Sequence, residues 1–457
     1  MNKKVALIGG GGVRTPLLIH GLAQAAGVIG IRELVLYDID AHRAGLMGKL
    51  GEEIARGSGM RIATSARIEE VLEGASFVLS SIRVGGIAMR ARDERISIEH
   101  GLAGQETTGP GGIAMALRTI PVALEYARLI ERYAPGAWLI NFTNPAGLIT
   151  QALTSHSRVK AIGICDTPSE LFHRIAWSLG EPFEQMEFQY SGLNHLGWVR
   201  DVLLRGESVM PRLLAEDAAL LRLYPGDLFD PALIRTLGLI PTEYLFFYYS
   251  QRKAYRNQVA AGASRGEEIL TLNNSLLADL DREVSAGNTR HGIELYKAYL
   301  NRRNASYMRL EANAESAFAQ GSHDWDPFEG ATGYHRIAID AMTALSGDST
   351  TRLVINAVNN GAIEDLDPED VVEVPCELSR AGPRTLGVGK LPDAVRGLVL
   401  AVKACERLTI RAAVERSFDL ARLALLTNPI VGQWEIATEV LRAIAGGDAT
   451  CPGYLGL

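Results

Sequence analysis

The feature that most constrains this chain is the regular alternation, over its first half, of short apolar segments with longer amphipathic ones. The apolar segments each end in glycine, a polar residue or both; they are Lys4–Ile8, Glu33–Tyr37, Phe77–Ser81, Trp138–Asn141 and Lys160–Ile164. Short buried strands separated by helices are typical of a parallel sheet covered by helices on both faces. We therefore predict an α/β fold that begins with a Rossmann-like, doubly wound sheet.

The pattern changes near residue 186. Met186–Leu193 and Trp198–Leu204 are strand-like, whereas the segments after them are long and helical, including roughly Pro392–Gly446. No linker rich in proline, glycine or serine separates the two parts. We therefore predict two regions, residues 1–185 and residues 186–457, of which the second is mixed, mostly helical and tightly packed on the first.

Composition excludes several classes of protein. The 457 residues are 47% hydrophobic and 22% charged, as in an ordinary globular enzyme. Lysine and arginine number 46 against 53 acidic residues, so the net charge of -7 argues against a nucleic-acid partner. No segment approaches the ~18–20 apolar residues of a membrane span, so we predict no membrane partner.

Cysteine usage indicates the redox compartment. The four cysteines, Cys165, Cys376, Cys405 and Cys451, are scattered and form no CxxC pair. This distribution favours a reducing cytoplasm over a disulfide-bonded scaffold.

A glycine-rich loop directly follows the first strand and leads into a helix. The loop and the start of the helix comprise Gly9, Gly10, Gly11, Gly12, Val13, Arg14 and Thr15. Glycines let the backbone turn sharply and approach a pyrophosphate, whose charge then lies on the free amides of the helix. The first region is therefore predicted to bind a dinucleotide.

Acidic and polar residues at the neighbouring strand ends refine that prediction. Asp38 closes the second strand, where a carboxylate can accept hydrogen bonds from ribose hydroxyls. The same carboxylate would repel the extra phosphate of NADP and so favours NAD, although Arg14 and Arg43 leave NADP open. Ser81 and Arg83, at the end of the strand Phe77–Ser81, are predicted to contact the same cofactor.

The stretch from Arg83 to Gly112 carries fixed positive charge. Arg83 and Arg90 follow a strand, on the edge where ligands bind in such sheets, and Gly109-Pro110-Gly111-Gly112 forms a second loop suited to close approach. Each arginine alone could belong to a surface ion pair. Together they favour an anionic substrate.

A potential metal site lies further along the chain. Cys165 and Asp166 end one strand and begin a helix, and His195 follows the strand Met186–Leu193. A lone cysteine is often a small buried hydrophobe, and a lone histidine is often structural. Because both residues follow strands beside a dinucleotide loop, they instead suggest a thiolate and an imidazole that bind a transition-metal ion completed by substrate oxygens.

These motifs together resemble glycoside hydrolase family 4, the NAD- and divalent-metal-dependent glycosidases. The resemblance rests on GGGGVRTP, GQETTGPGG, NFTNPAG, CDTP and GLNHLGW, which occur in order from Met1 to beyond Tyr249. A weaker similarity covers Val354–Pro375. The family is a known exception to the two-carboxylate mechanism of glycoside hydrolysis.

The resemblance implies a mechanism of oxidation and elimination. NAD+ takes hydride from carbon 3 of the sugar, and the resulting ketone acidifies the proton on carbon 2. A base removes that proton while a metal ion, with manganese as the first choice, stabilises the charge. The aglycone leaves, water adds, and NADH returns the hydride.

The resemblance also assigns roles to particular residues. Cys165 and His195 match the metal ligands, and Asn144 matches an asparagine that contacts substrate. The base matches Tyr244 in IPTEYLFFYY, with Tyr248 and Tyr249 left open. Two arginines, Arg90 and Arg265, match residues near the anionic group of the sugar. A homodimer or homotetramer is expected.

Subgroup assignment depends on the residue after the metal-binding cysteine. In the family this residue is usually asparagine in 6-phospho-β-glucosidases, aspartate in 6-phospho-α-glucosidases and histidine in enzymes for unphosphorylated sugars. Here it is Asp166, which could protonate a leaving oxygen. The other motifs look more like the phospho-β-glucosidase branch, which we favour over an α-specific enzyme or one for another anionic or unphosphorylated sugar.

Two other classes of function share the dinucleotide loop. An NAD-dependent hydroxy-acid dehydrogenase would not need Cys165, His195 and the tyrosine cluster together. A non-catalytic NAD-binding sensor would bind the nucleotide without turning over glycosides.

Overall fold

The computed structural model describes residues 2–312, 326–328, 333–347 and 349–446. Cys451 lies outside the described residues. The strands are β1 (Lys3–Ile8), β2 (Ile31–Tyr37), β3 (Arg61–Thr64), β4 (Ala75–Ser80), β5 (Trp138–Asn141), β6 (Lys160–Gly163), β7 (Met186–Leu193), β8 (Leu196–Leu204), β9 (Glu207–Ser208), β10 (Ile240–Pro241), β11 (Thr351–Val358), β12 (Val371–Ser379) and β13 (Gly382–Thr385).

The helices of the first region connect its strands. They are α1 (Thr15–Ile29), α2 (Ala41–Ile54), α3 (Ile68–Leu72), α4 (Gly86–Glu99), α5 (Gly109–Tyr133), α6 (Ala146–His156) and α7 (Thr167–Leu179). Those of the second region are α8 (Met210–Ala215), α9 (Asp217–Leu221), α10 (Pro231–Leu237), α11 (Phe246–Tyr249), α12 (Gln251–Ala261), α13 (Arg265–Ser285), α14 (Thr289–Ala305), α15 (Arg309–Ala312), α16 (Tyr334–Ser346), α17 (Asp393–Glu415), α18 (Phe418–Thr427) and α19 (Trp434–Ala445).

The six strands of the first region form a parallel sheet in the order β3-β2-β1-β4-β5-β6. This is the strand order of a dinucleotide-binding Rossmann fold, in which the direction of winding reverses between β1 and β4. The predicted α/β, doubly wound architecture is therefore confirmed. The apolar alternation identified every strand of this sheet except β3, in which only Ile62 is buried.

The second region extends the same sheet. Beyond β6 the order continues β11-β12-β7-β8-β10, and all of these pairings are antiparallel. Two strands from late in the chain thus lie between β6 and β7. One row across this part joins Gly163, Asn356, Glu373 and Gly192.

The helices cover the sheet through one continuous apolar core. Val5, Leu7 and Ile8 of β1 are almost fully buried, and the same core continues through α17 and α18. In the described part of the chain, no helix is both long enough and apolar enough to cross a membrane. The predicted division at residue 186 stays a prediction, since the two regions share one sheet and one core.

Candidate active site

The candidate site lies at the carboxyl edge of the parallel strands, where β1, β4, β5 and β6 end. The glycine loop turns there under tight steric limits. Gly9 has a positive φ of 89°, and a Cβ on it would lie 2.3 Å from the carbonyl oxygen of Ser81. The backbone amides of Gly9 and Gly10 donate to the carbonyl of Tyr37 at 2.9 and 2.8 Å. Only glycine fits where β1 passes so close to its neighbours.

The start of α1 is open to an anion. Thr15 begins the helix after Val13 and Arg14, no side chain caps its first amides, and its first turn carries no acidic residue. Gly12, on the open side of the loop, would bring a Cβ no nearer than 3.2 Å to other atoms. These features suit the predicted pyrophosphate site.

The Asp38 carboxylate accepts hydrogen bonds from backbone amides of the glycine-rich loop and of the turn after β2. Its Oδ2 accepts the amide of Gly11 at 2.9 Å, and its Oδ1 accepts the amide of Asp40 at 3.0 Å. A carboxylate oxygen has more than one lone pair, so both remain able to accept a ribose hydroxyl. A side chain on Gly11 would meet this carboxylate at 2.9 Å.

Cys165 and His195 come together at the centre of the edge. Cys165 Sγ lies 3.3 Å from His195 Nε2, and both side chains are buried. Burial lowers the pKa of His195 to about 4, so the imidazole is neutral and able to bind a metal ion. Burial, followed by the charges of Glu373 and Asp166, raises the pKa of the Cys165 thiol, which a metal ion would oppose.

The pair supplies two ligands rather than a complete protein cage. Among the described residues, no group of three or more His, Cys, Asp and Glu side chains is arranged to hold a metal ion. A site of this kind leaves coordination positions for substrate oxygens or water.

A threonine that sequence reasoning did not single out contacts His195 from the other side. Thr107 Oγ1 lies 2.7 Å from His195 Nδ1 and 2.8 Å from Gln105 Oε1. Both residues belong to the motif GQETTGPGG. The motif therefore marked this segment as functional, but it did not indicate that Thr107 contacts His195. His195 itself has a positive φ of 62°, in the tight turn between β7 and β8.

Tyr244 is the tyrosine that the fold brings to this pair. Its ring stacks on His195 with centroids 3.8 Å apart and planes 8° from parallel. Burial, followed by the charges of Glu106 and Glu243, raises the pKa of Tyr244, while a hydrogen bond with Tyr307 opposes the shift. The Tyr307 hydroxyl oxygen also lies 3.1 Å from Glu243 Oε1.

The alternative Tyr248 lies elsewhere. Burial raises its pKa, and the next contributions come from Cys405 and Glu406 of α17. The described contacts place Tyr249 near Trp198 rather than near Cys165. Tyr244 as the base stays a prediction, now supported by position.

Two of the predicted arginines converge on one carboxylate. Arg83 donates to Glu106 Oε2 at 2.5 Å, and Arg90 lies 3.0 Å from the same oxygen. The Arg90 and Arg83 guanidinium groups hold the pKa of Glu106 well below its usual range, although burial opposes them. Arg90 also donates to Glu94 at 2.8 Å.

Arg265 does not face this cluster through its described contacts. Its guanidinium bonds to Glu268 Oε2 and Ser306 Oγ, both at 2.5 Å, and to the carbonyl of Arg303 at 2.8 Å. It therefore holds the end of α14 in place. Its predicted contact with substrate remains untested.

Arg303, which the sequence analysis did not single out, interacts electrostatically with Glu106. Its Nη1 donates to the Tyr299 hydroxyl at 3.1 Å, and among the described residues it forms no ion pair. Its charge helps lower the pKa of Glu106. Burial and the nearby cations Arg14 and Arg90 lower the pKa of Arg303 itself. No sequence pattern distinguishes it from the adjacent Arg302.

Acidic residues border the cysteine side of the site. Asp166 Oδ2 lies 3.9 Å from Arg14 Nη1. This contact joins the segment after β6, which carries Cys165, to the glycine-rich loop. One turn along α7, burial and the charge of Asp166 raise the pKa of Glu170 to about 8. Arg174 of the same helix pairs with Glu243 at 3.0 Å.

The buried carboxylate of Glu373 lies close to the Cys165–His195 pair. Glu373 accepts hydrogen bonds from the Tyr190 hydroxyl at 2.7 Å, Asn356 Nδ2 at 2.9 Å and Asn194 Nδ2 at 3.1 Å. Burial raises its pKa to about 7. Asn194, next to His195, also accepts the amide of Ala146 at 3.1 Å, so this network fixes the turn that carries the histidine.

Asn144, predicted to contact substrate, lies half-buried in the loop between β5 and α6, at the same edge of the sheet. Its role stays a prediction.

Comparison with known proteins agrees with this arrangement. Residues 4–181 match the sequence model of the "Family 4 glycosyl hydrolase", and residues 190–431 match that of its C-terminal domain. The chain belongs to family 4 of the glycosyl hydrolases. Family membership makes it a glycoside hydrolase and sets aside the dehydrogenase and sensor alternatives.

Individual family 4 relatives align over almost the whole chain. A probable 6-phospho-beta-glucosidase of Bacillus subtilis is 31% identical, covering 96% of this chain and 94% of the relative. The 6-phospho-alpha-glucosidase 1 of Lacticaseibacillus paracasei is 30% identical, with 96% and 95% covered. The 6-phospho-beta glucosidase of Thermotoga maritima, solved with manganese, NAD+ and glucose-6-phosphate, has a TM-score of 0.79 at 29% identity, with 96% and 97% covered.

Proposed function

We propose that this family 4 enzyme hydrolyses 6-phospho-β-glucosides, using NAD and a divalent metal ion, with manganese the first choice. Oxidation at carbon 3, proton abstraction at carbon 2 and elimination make up the proposed reaction. The observation that carries the proposal is the convergence of Arg83, Arg90 and Arg303 beside the Cys165–His195 pair. Glu106 interacts with all three arginines and Glu94 pairs with Arg90. Among the described residues these two carboxylates offset two of the three positive charges, so one remains for an anionic substrate.

The residues present fit both cofactors. The glycine loop admits no side chain at Gly9, and the first turn of α1 carries no acidic residue, as a pyrophosphate site requires. A neutral imidazole and a cysteine sulfur 3.3 Å apart suit a transition-metal ion. The Thermotoga maritima relative was solved with NAD+ and manganese.

When bound, NAD supplies a hydride acceptor and the metal ion a Lewis acid. The protein's own part is to hold and move protons. Tyr244 is the proposed base for the proton on carbon 2, and its stacking on His195 fixes the ring beside the metal pair. The hydrogen bonds through Tyr307 to Glu243 lead from its hydroxyl toward Arg174.

Asp166 is the proposed acid for the leaving oxygen. It lies beside Cys165 at the start of α7, and its contact with Arg14 keeps it at the edge where the substrate would enter. Aspartate at this position is also the residue expected of a 6-phospho-α-glucosidase. The β- and α-specific relatives are almost equally similar, at 31% and 30% identity, so the α alternative stays open.

A substrate panel tests the proposal. 4-Nitrophenyl α- and β-glucosides, each free and 6-phosphorylated, are assayed with NAD+ and Mn2+. We expect turnover of the 6-phospho-β-glucoside above all others. Preference for the α anomer would replace the β assignment, and preference for unphosphorylated sugars would refute the assignment of a phosphorylated substrate.

Turnover in heavy water tests the mechanism separately. A proton taken by Tyr244 exchanges with solvent, so the product should carry deuterium at carbon 2. Carbon 3 should keep its own hydrogen, since NADH returns it. Tyr244→Phe should lose most turnover while NADH still binds. A product without deuterium at carbon 2 would rule out the elimination route.

A further inference from the structure

Two hydrogen bonds decide which nitrogen of His195 carries its proton. His195 is buried, and a neutral imidazole ring, the form that binds a metal ion, has one N–H group and one lone pair. Nδ1 lies 2.7 Å from Thr107 Oγ1, whereas Nε2 faces Cys165 Sγ. The position of the ring proton therefore depends on whether the Thr107 hydroxyl donates a hydrogen bond to Nδ1 or accepts one from it.

Gln105 determines the direction of that hydroxyl. Its Oε1 accepts the backbone amides of Thr107 at 2.5 Å and Thr108 at 2.7 Å. Backbone N–H groups only donate, so the atom facing them is the amide oxygen, which can only accept. The same oxygen lies 2.8 Å from Thr107 Oγ1, which must therefore donate its hydroxyl proton to it.

A hydroxyl has one proton, so Thr107 has only lone pairs left for the ring. Nδ1 of His195 must carry the hydrogen and donate it to Thr107. The lone pair of Nε2 then points toward the sulfur of Cys165, at the place proposed for the metal ion. A ligating histidine commonly has its second nitrogen held by such a partner, which fixes the tautomer and the ring orientation.

We propose that Thr107, held by Gln105, is a positioning residue that fixes His195 as its Nδ1–H tautomer and so presents Nε2 to a divalent metal ion. The proposal rests on the proposed function for the presence of the metal. The tautomer itself is a property of the metal-free protein.

Three variants isolate the hydrogen bond. Thr107→Val keeps the shape of the side chain but removes the oxygen, and Thr107→Ser restores it. Thr108→Val is the matched control, because Thr108 is adjacent and buried and its hydroxyl has no hydrogen-bond partner among the described residues. Loss of a partner behind a ligand typically weakens metal binding by about 10- to 100-fold.

Metal affinity is measured by titrating the chelator-treated protein with Mn2+ and following free Mn2+ by electron paramagnetic resonance. We expect weaker binding by Thr107→Val, with Thr107→Ser and Thr108→Val like wild type. Equal affinity of Thr107→Val and wild type would overturn the proposal.

The second measurement needs no variant to fold. Nitrogen-15 NMR of the metal-free wild-type protein distinguishes the two tautomers of His195 directly. We expect a protonated Nδ1, and a protonated Nε2 would overturn the proposal. Neither readout uses a glycoside, so a failed substrate panel and a failed tautomer assignment remain separate results.

Discussion

Replacing Arg303 by methionine tests whether the charge of this residue contributes to substrate recognition rather than to the stability of the fold. Methionine keeps most of the length of the side chain but removes its charge. In the fold the residue as a whole is half-buried; its guanidinium bonds to the Tyr299 hydroxyl and forms no ion pair with a carboxylate among the described residues. Burial and the cations Arg14 and Arg90 lower the pKa of Arg303, so its positive charge is less favourable in this surrounding than in water.

The size of the effect follows from the bond that is lost. A hydrogen bond to a charged group contributes about 1.5–3 kcal/mol. If Arg303 donates to the phosphate of the substrate, kcat/KM should fall about 10- to 150-fold, at tenfold per 1.4 kcal/mol. The unfolding temperature should stay the same or rise, because the variant no longer buries an unpaired cation.

The assay compares two substrates and two variants. The kcat/KM of Arg303→Met is measured with the 6-phosphorylated glucoside and with its unphosphorylated counterpart, and NADH affinity by fluorescence. Arg302→Met is the control, because Arg302 is the adjacent residue of α14 and is exposed. We expect a selective loss on the phosphorylated substrate. Equal losses on both substrates, or a large fall in unfolding temperature, would refute the assignment of Arg303 to the anion.

Three further predictions address the loop, the metal and pH. Gly11→Ala should weaken NADH binding, because its Cβ would press on Asp38 at 2.9 Å, whereas Gly45→Ala, which meets nothing within 4 Å, should not; fluorescence titration compares them. Chelation should abolish the glycosidase activity of the wild type and Mn2+ should restore it, whereas Cys165→Ser should be inactive with or without added Mn2+. Full activity after exhaustive chelation would exclude a metal site at Cys165 and His195. Because burial and Asp166 raise the pKa of Glu170 to about 8, its protonated form stabilises the fold, and this contribution is lost as pH rises from the unfolded value toward 8. Denaturant titrations of the metal-free protein should show stability falling by at most about 1.4 kcal/mol per pH unit, less with screening, and Glu170→Gln should flatten that fall.

Local sequence determined the first region almost completely. Each parallel strand except β3 is a short apolar run between helices, and the burial of both faces imposes that composition. The turn after β1 requires glycine at Gly9, since any Cβ would strike the backbone of Ser81. That Cys165 and His195 lie close together could be predicted because both follow strands in recognisable motifs.

Only the tertiary structure decided how the distant segments meet. β11 and β12 come from late in the chain but lie between β6 and β7, bringing Glu373 and Asn356 behind His195. Sequence periodicity reports which face of a strand is buried, but it carries no information about which strand pairs with which. The same holds for Arg265 and Arg303, because their types are identical and only packing decides that one holds a helix end while the other faces Glu106. The direction of the Thr107 hydroxyl likewise depends on Gln105 and the turn around it, which exist only once the chain is folded.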